Sequence, residues 1–251
     1  MTERQAKILQ IVNEQRKVEV SQLAGLLEVS QVTVRKDLDA LEGRGLLVRE
    51  HGYAQACNSD DINNRLAVRY DVKLKIARAA AEIVSNGETV MIESGSSCAI
   101  LAEILANEKK DVTIITNSAF IASHIRNTPI SRVVLLGGEY QRESQVMVGP
   151  MVRKCAREFY VDKLFMGTDG FIPQAGFTCG DMMRAEAMKT MAESAKHAII
   201  LTDSSKFEQQ GVVLQSRFEN IQMVFTDEGI PESAAAILAK NQIELCKVAV
   251  G

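Results

Sequence analysis

The chain has no tryptophan, and aromatic residues make up only 5% of its 251 positions, so its core must be aliphatic. Its five cysteines, Cys57, Cys98, Cys155, Cys179 and Cys246, are odd in number and contain no C-x-x-C pair. That pattern excludes a disulfide framework or a cysteine zinc site and fits idle thiols in a reducing compartment. No apolar run approaches the roughly 18 residues of a membrane span, and the amino terminus lacks a signal-peptide pattern. A cytoplasmic protein without a membrane partner is the expectation. His51, His124 and His197 share no ligand spacing, and no nucleophile–base constellation stands out, so no metal, catalytic residue or cofactor is expected. An excess of one charge is also missing. The net charge is −3, and residues 1–57 hold eight Lys/Arg against eight Asp/Glu. Bulk polycation behaviour is excluded; any contact with nucleic acid must come from local placement of cations, with acids such as Asp37 and Glu42 turned away from phosphates.

What is present centres on residues 21–41. They read as two helices joined by a tight turn, with Ser21 expected to cap the first and Ser30 the second, since a serine hydroxyl satisfies first-turn amides. Leu23, Ala24 and Leu27 fall at helical spacing in the first helix; Val34, Leu38 and Leu41 form the apolar stripe of the second. The opposite face of the second carries Gln31, Thr33, Arg35 and Lys36. A cationic second helix is the recognition helix of a helix-turn-helix, although an ordinary helical hairpin would read the same over these residues alone. The continuation separates the two. Gly43 and Gly45 suit a left-handed helix terminus, and residues 46–48 and 53–54 read as short strands around a turn at His51 and Gly52. A helix-turn-helix followed by a hairpin is a winged helix, with Arg49 and His51 on the wing. Thr2 and Gln5 form a capping box for a preceding helix that turns Ile8, Leu9, Ile11 and Val12 inward. Residues 18–20 are expected as a strand beside the wing.

The pattern Val29, Ser30, Thr33, Arg35, Lys36, Asp37, Leu38, Leu41 and Glu42, followed by Gly45, Leu46, His51 and Gly52, resembles the amino-terminal signature of the DeoR family of bacterial transcriptional regulators. Members are most often repressors. The resemblance implies contacts with a double-stranded operator from Ser21, Ser30, Gln31, Thr33, Arg35, Lys36, Arg49 and His51.

Residues 58–64 are polar and turn-forming, which predicts a linker; the domains are then 1–57, a connection over 58–74, and 75–251. Residues 65–85 read as a helix with Lys73, Lys75 and Arg78 on a solvated face. From Glu88 onward, apolar strands alternate with amphipathic helices, which predicts an α/β domain with a largely parallel sheet. In such sheets ligands collect at the carboxyl ends of the strands. Glu93, Ser94, Gly95, Ser96 and Ser97 lie between a strand and a helix, where small residues, hydroxyls and a helix N-terminus suit an anion; a plain Gly/Ser turn is the alternative. Thr116, Asn117 and Ser118, then Gly138, Asp169, Lys206 and Asp227, recur at later strand ends.

This second region resembles the effector domain of the same family, which is similar to ribose-5-phosphate isomerase. By that likeness residues 93–97 stand at a phosphate loop, residues 116–118 at a second polar loop, Asp169 at an acidic position, Lys206 at a substrate-contacting lysine and Glu186 at the general base. The isomerase lysine before the last of these helices has no counterpart in residues 177–183, and Glu93 stands where most family members have Asp. The implied cavity senses a phosphorylated sugar or related metabolite, with catalysis lost. Arg184 is either a phosphate or carboxylate partner or half of an ion pair. The expectation is a carbohydrate-operon regulator acting as a homodimer or homotetramer; the alternative is a sugar-phosphate isomerase or transferase with an accessory head.

Overall fold

The computed structural model of the chain describes residues 2–43, 46–55, 60–130 and 132–250. The chain divides into two compact units, Met1–Tyr70 and Asp71–Gly251.

The first unit runs α1 (Glu3–Gln15), β1 (Lys17–Glu19), α2 (Val20–Leu26), α3 (Gln31–Glu42), β2 (Val48–Glu50), β3 (Tyr53–Gln55) and α4 (Ile62–Ala67). The expected capping box opens α1: the Thr2 hydroxyl accepts from the Gln5 amide and the Gln5 side chain accepts from the Thr2 amide. Ile8, Leu9, Val12, Leu23, Val34, Leu38 and Leu41 close into one aliphatic core. Strands β1, β3 and β2 form an antiparallel sheet in that order. The loop between β2 and β3 is two residues, His51 and Gly52, with φ of 46° and 87°. Positive φ at both positions is the type I′ turn whose twist matches a hairpin, and glycine takes the second position without strain.

Several local expectations are corrected. Ser21 lies inside α2, because the helix starts at Val20 with Glu19 as N-cap and no side-chain cap. Gly43 stays right-handed at φ −60°, and Gly45 lies outside the described residues, as do residues 56–59, which include Cys57 and the start of the expected linker. Leu46 and Leu47 are buried core residues before the strand, which begins at Val48. The rest of that linker is structured: Asp61 caps α4, and Ile62 is fully buried. The single helix expected over residues 65–85 is broken at Val68, which is extended, and Arg69, at φ 52°. Lys73 is buried, not solvated.

Helix α5 (Tyr70–Glu82) begins at the boundary and leads into the second unit. Five elements follow: β4 (Thr89–Ile92), α6 (Ser96–Glu108), β5 (Thr113–Thr116), α7 (Ala119–His124) and β6 (Arg132–Leu135). A hairpin of β7 (Glu139–Gln141) and β8 (Val146–Val148) leads to α8 (Pro150–Ala156) and β9 (Val161–Met166). Then come β10 (Gly170–Ile172), β11 (Gly176–Cys179), α9 (Met182–Glu193), β12 (Ala195–Leu201), β13 (Val213–Arg217), β14 (Met223–Asp227), α10 (Glu232–Lys240) and β15 (Glu244–Val248). Seven strands make a fully parallel sheet in the order β15-β14-β12-β9-β4-β5-β6. The α/β expectation holds, and so does the parallel sheet. The hairpin β7–β8 and the small antiparallel sheet β10-β11-β13 were not anticipated, because strands of three to five residues carry too few positions to show a period.

Strand order sets the location of the site. From β4 the chain proceeds outward to β5 and β6; from β9 it proceeds the other way to β12, β14 and β15. The reversal falls between β4 and β9, and a crevice opens at the carboxyl ends of strands flanking such a switch point.

Candidate nucleic-acid interface and effector site

On α3 the Ser30 hydroxyl accepts from the Thr33 amide at 3.2 Å and lies 2.9 Å from the Thr33 hydroxyl. Ser30 is therefore the helix cap and Thr33 its partner. Gln31, Arg35 and Lys36 are exposed, with the Arg35 guanidinium 3.5 Å from the Gln31 side-chain Oε1 one turn away. Because residues 1–57 carry as many acids as cations, the acids of α3 matter most. Asp37 is buried and accepts from Arg4 Nε at 2.5 Å and from the Gln5 side-chain Nε2 at 3.3 Å, and Asp37 in turn raises the Arg4 pKa through hydrogen bond and charge. Asp39 pairs with the Arg49 guanidinium, and Glu42 accepts from the Arg49 amide at 2.9 Å. The acids are thus matched inside the unit, leaving Arg35 and Lys36 as the cations displayed by α3. Arg49 ties the wing to α3, His51 is exposed at the wing turn, and Ser21 is exposed on α2. One exposed residue of this face was missed: Val32, 61% accessible. Being apolar, it carries no hydrogen-bonding or charge signal that a sequence shows.

In the second unit, the switch point brings the loops after β4 and β9 into contact. Glu93 is buried, and its Oε2 accepts from the Gly95 amide at 2.9 Å and from the Gly167 amide at 3.1 Å. Its Oε1 accepts from the Ser94 hydroxyl at 2.5 Å. A Cβ on Gly95 would lie 3.0 Å from the Gly167 Cα, so the approach of the two backbones requires glycine. Glu93 is a brace between loops rather than an anion contact. Ser96 and Ser97 form the buried first turn of α6, whose amides lack intrahelical acceptors.

The next strand end is similarly braced. Thr116 Oγ1 accepts from the Ser118 amide, Ser118 caps α7, and the Asn117 side chain donates to the Met147 carbonyl at 3.0 Å. Asn117 Oδ1 is buried and has no hydrogen-bond partner among the described residues. Gly138 packs on the same hairpin, where a Cβ would meet the Val148 carbonyl at 2.5 Å.

Asp169 accepts from the Gly180 amide at 3.0 Å. Beside it, Cys179 and Asp181, neither anticipated as site residues, join Arg184. Burial pushes the Cys179 thiol up to about 11, with the charges of Asp169 and Glu93 adding and Arg184 opposing. Burial also raises the Asp181 carboxyl, but the Arg184 amide, the Gln141 side chain and the Arg184 charge outweigh it and leave its pKa below the usual value. These couplings gather Glu93, Asp169, Cys179, Asp181 and Arg184 into one electrostatic neighbourhood. A local signal did exist for Asp181: it precedes α9 and is its N-cap.

One predicted residue is not brought there. Glu186 is two positions from Arg184 on α9, and residues so spaced do not share a helix face; it pairs with Arg153 of α8. The Lys206 ammonium donates to Gln209 at 3.0 Å. Two clefts, of about 690 and 450 Å³, are lined by residues such as Arg217, Gln222 and Lys240, and Lys189, Lys196 and Gln222; neither includes a predicted effector residue. His124 pairs with Glu103 and stacks on Phe120, and His197 meets the Asp162 carbonyl. Among the described residues, no acidic, cysteine or histidine cluster suits a metal, and no helix is long and apolar enough to cross a membrane.

A winged helix-turn-helix whose α3 acids are engaged within the head, on one chain with an α/β unit whose polar loops meet at a switch point, defines a DNA-binding regulator with a sensor domain. Residues 4–60 match the DeoR-like helix-turn-helix domain and residues 68–228 the DeoR C terminal sensor domain. The chain belongs to the DeoR family of transcriptional regulators. It is 30% identical to an Escherichia coli O157:H7 protein named as an aga operon transcriptional repressor, over 98% of this chain and 94% of that one. It is 28% identical to the glycerol-3-phosphate regulon repressor of Escherichia coli K12, over 98% and 99%. Among solved structures, a ribose-5-phosphate isomerase in complex with phospho-erythronic acid matches 55% of this chain and 54% of that one at 17% identity and TM-score 0.40. A likeness that remote transfers no residue role, so the site rests on this chain's own contacts.

Proposed function

We propose that this regulator represses an operon of carbohydrate metabolism and is released from, or held on, its operator by a phosphorylated sugar or related metabolite. The observation that carries the DNA half is the α3 face: Arg35 and Lys36 project while Asp37 and Asp39 are engaged by Arg4 and Arg49. Gln31, Arg35 and Lys36 are the base-reading candidates. Thr33 joins them as a groove candidate, Ser21 and Ser30 serve backbone phosphates or caps, and Arg49 and His51 set the wing. A bidentate arginine contact to guanine discriminates by about 1–3 kcal/mol, so Arg35→Ala should flatten the preference for a selected operator over random duplex in a gel shift. Equal preference in variant and wild type would overturn the assignment.

The sensor half is supported by the relatives' names, one of which specifies glycerol-3-phosphate, and by the polar groups at the switch point. The first-turn amides of α6 at Ser96 and Ser97, with Arg184, suit a phosphate, and Asn117 Oδ1 suits a ligand hydroxyl. Glu93, Ser94, Gly95, Thr116, Ser118, Gly138 and Asp169 shape the loops, Lys206 is a further candidate cation, and Glu186 stands outside this set. A ligand bound only by the native state raises apparent stability, so a thermal-shift panel of sugar phosphates is the direct test. No response from any phosphorylated sugar would refute the proposed ligand class. One winged helix reads few base pairs, which favours a homodimer or homotetramer on repeated half-sites, with a head over 1–57, a connection over 58–74 and an effector domain over 75–251, working in the cytoplasm.

A further inference from the structure

We propose that Val32 reads a thymine through its C5-methyl group in the major groove. The inference rests on the α3 reading above and adds to it a base identity. Val32 is the second residue of α3, and the N-terminal residues of a recognition helix are those that meet base edges. Of the branched aliphatic residues of α3, Val34, Leu38 and Leu41 are fully buried, whereas Val32 is 61% accessible. Arg35 and Lys36 follow it at i+3 and i+4, so all three share one face, and both cations are exposed. An apolar group flanked by two cations fits a polyanion better than an apolar protein surface.

Thymine is the base that offers an apolar group on the major-groove edge. Over it, the valine isopropyl group and the methyl group exclude water from each other. Over cytosine or guanine, the same side chain would cover a hydrogen-bonding group and leave it without a partner. The preference for thymine therefore has both an attractive and a repulsive part.

The test uses the full chain and a duplex enriched by it from a random library. Each thymine is replaced in turn by deoxyuridine, which removes the methyl and leaves every hydrogen bond, so folding of the protein is not at issue. Wild type should bind about fourfold more weakly when one particular thymine of a half-site loses its methyl, the effect of about one buried methylene-sized group. Val32→Ala should bind the thymine duplex about fourfold more weakly and be indifferent to that replacement. Val32→Thr, which keeps a methyl, should retain part of the sensitivity. Wild type indifferent to every replacement, or Val32→Ala as sensitive as wild type, would overturn the proposal while leaving sequence preference intact. Failure to enrich any duplex would instead remove the recognition-face reading beneath it.

Discussion

Removing the Glu93 carboxylate tests whether the switch point is held by that side chain. Three donors converge on it: the amides of Gly95 and Gly167 and the hydroxyl of Ser94. In Glu93→Ala the hydroxyl can turn to other acceptors, but the two amides lose a buried partner, each at about 1–3 kcal/mol. Relief from burying a charge and entry of water into the space offset part of this, for a net loss of about 2–4 kcal/mol. In Glu93→Gln the carbonyl can still accept from both amides while Ser94 accepts from the new NH₂, so only the charge assistance is lost, about 1–2 kcal/mol. For a domain of roughly 150–250 residues, each kcal/mol moves Tm by about 2–4 °C. The alanine variant should therefore melt about 4–16 °C lower by far-UV circular dichroism, with glutamine in between. Sugar-phosphate stabilisation should fall in parallel, since the β4–α6 loop is no longer pinned. An alanine variant as stable as wild type, or a glutamine variant worse than alanine, would refute the bracing role.

The head has its own pressure point: Leu38 is fully buried in a small core, so Leu38→Ala should cost about 2–5 kcal/mol and abolish operator binding while the sensor unit's melting is unchanged. Retained binding would contradict that packing. Asp181 has a lowered pKa, so the stability it contributes is present above its unfolded value near 3.8 and lost as pH falls through the lower folded value. Denaturation midpoints measured from pH 6 to 3 should drop less in Asp181→Asn than in wild type; superimposable acid limbs would rule this out. Cys179 has its pKa raised from 9.0 to about 11, so the stability from keeping it a neutral thiol is complete below pH 9 and lost towards pH 11. At pH 8 its alkylation by iodoacetamide should run about 100-fold slower than in the denatured chain, from thiolate population alone; equal rates would show the site is open.

The sequence by itself determined the repeating parts of this protein. Val34, Leu38 and Leu41 mark one face of α3 by spacing alone, Ser30 and Thr2 announce helix starts, and apolar strands alternating with helices impose the parallel α/β sheet. These features are legible because they depend on local periodicity and local hydrogen bonds. Contacts across the chain are another matter. The pairing of Arg4 with Asp37, which takes an acid off the DNA face, joins residues of two helices that only the folded head brings together. The meeting of Glu93 with Gly167 depends on the strand order reversing between β4 and β9. Cys179 and Asp181 reach Arg184 because β11 ends beside α9, and Glu186 meets Arg153 because the helix turns it to another face. Periodicity tells which face of an element is apolar; which polar groups face each other is decided only when topology sets the elements side by side.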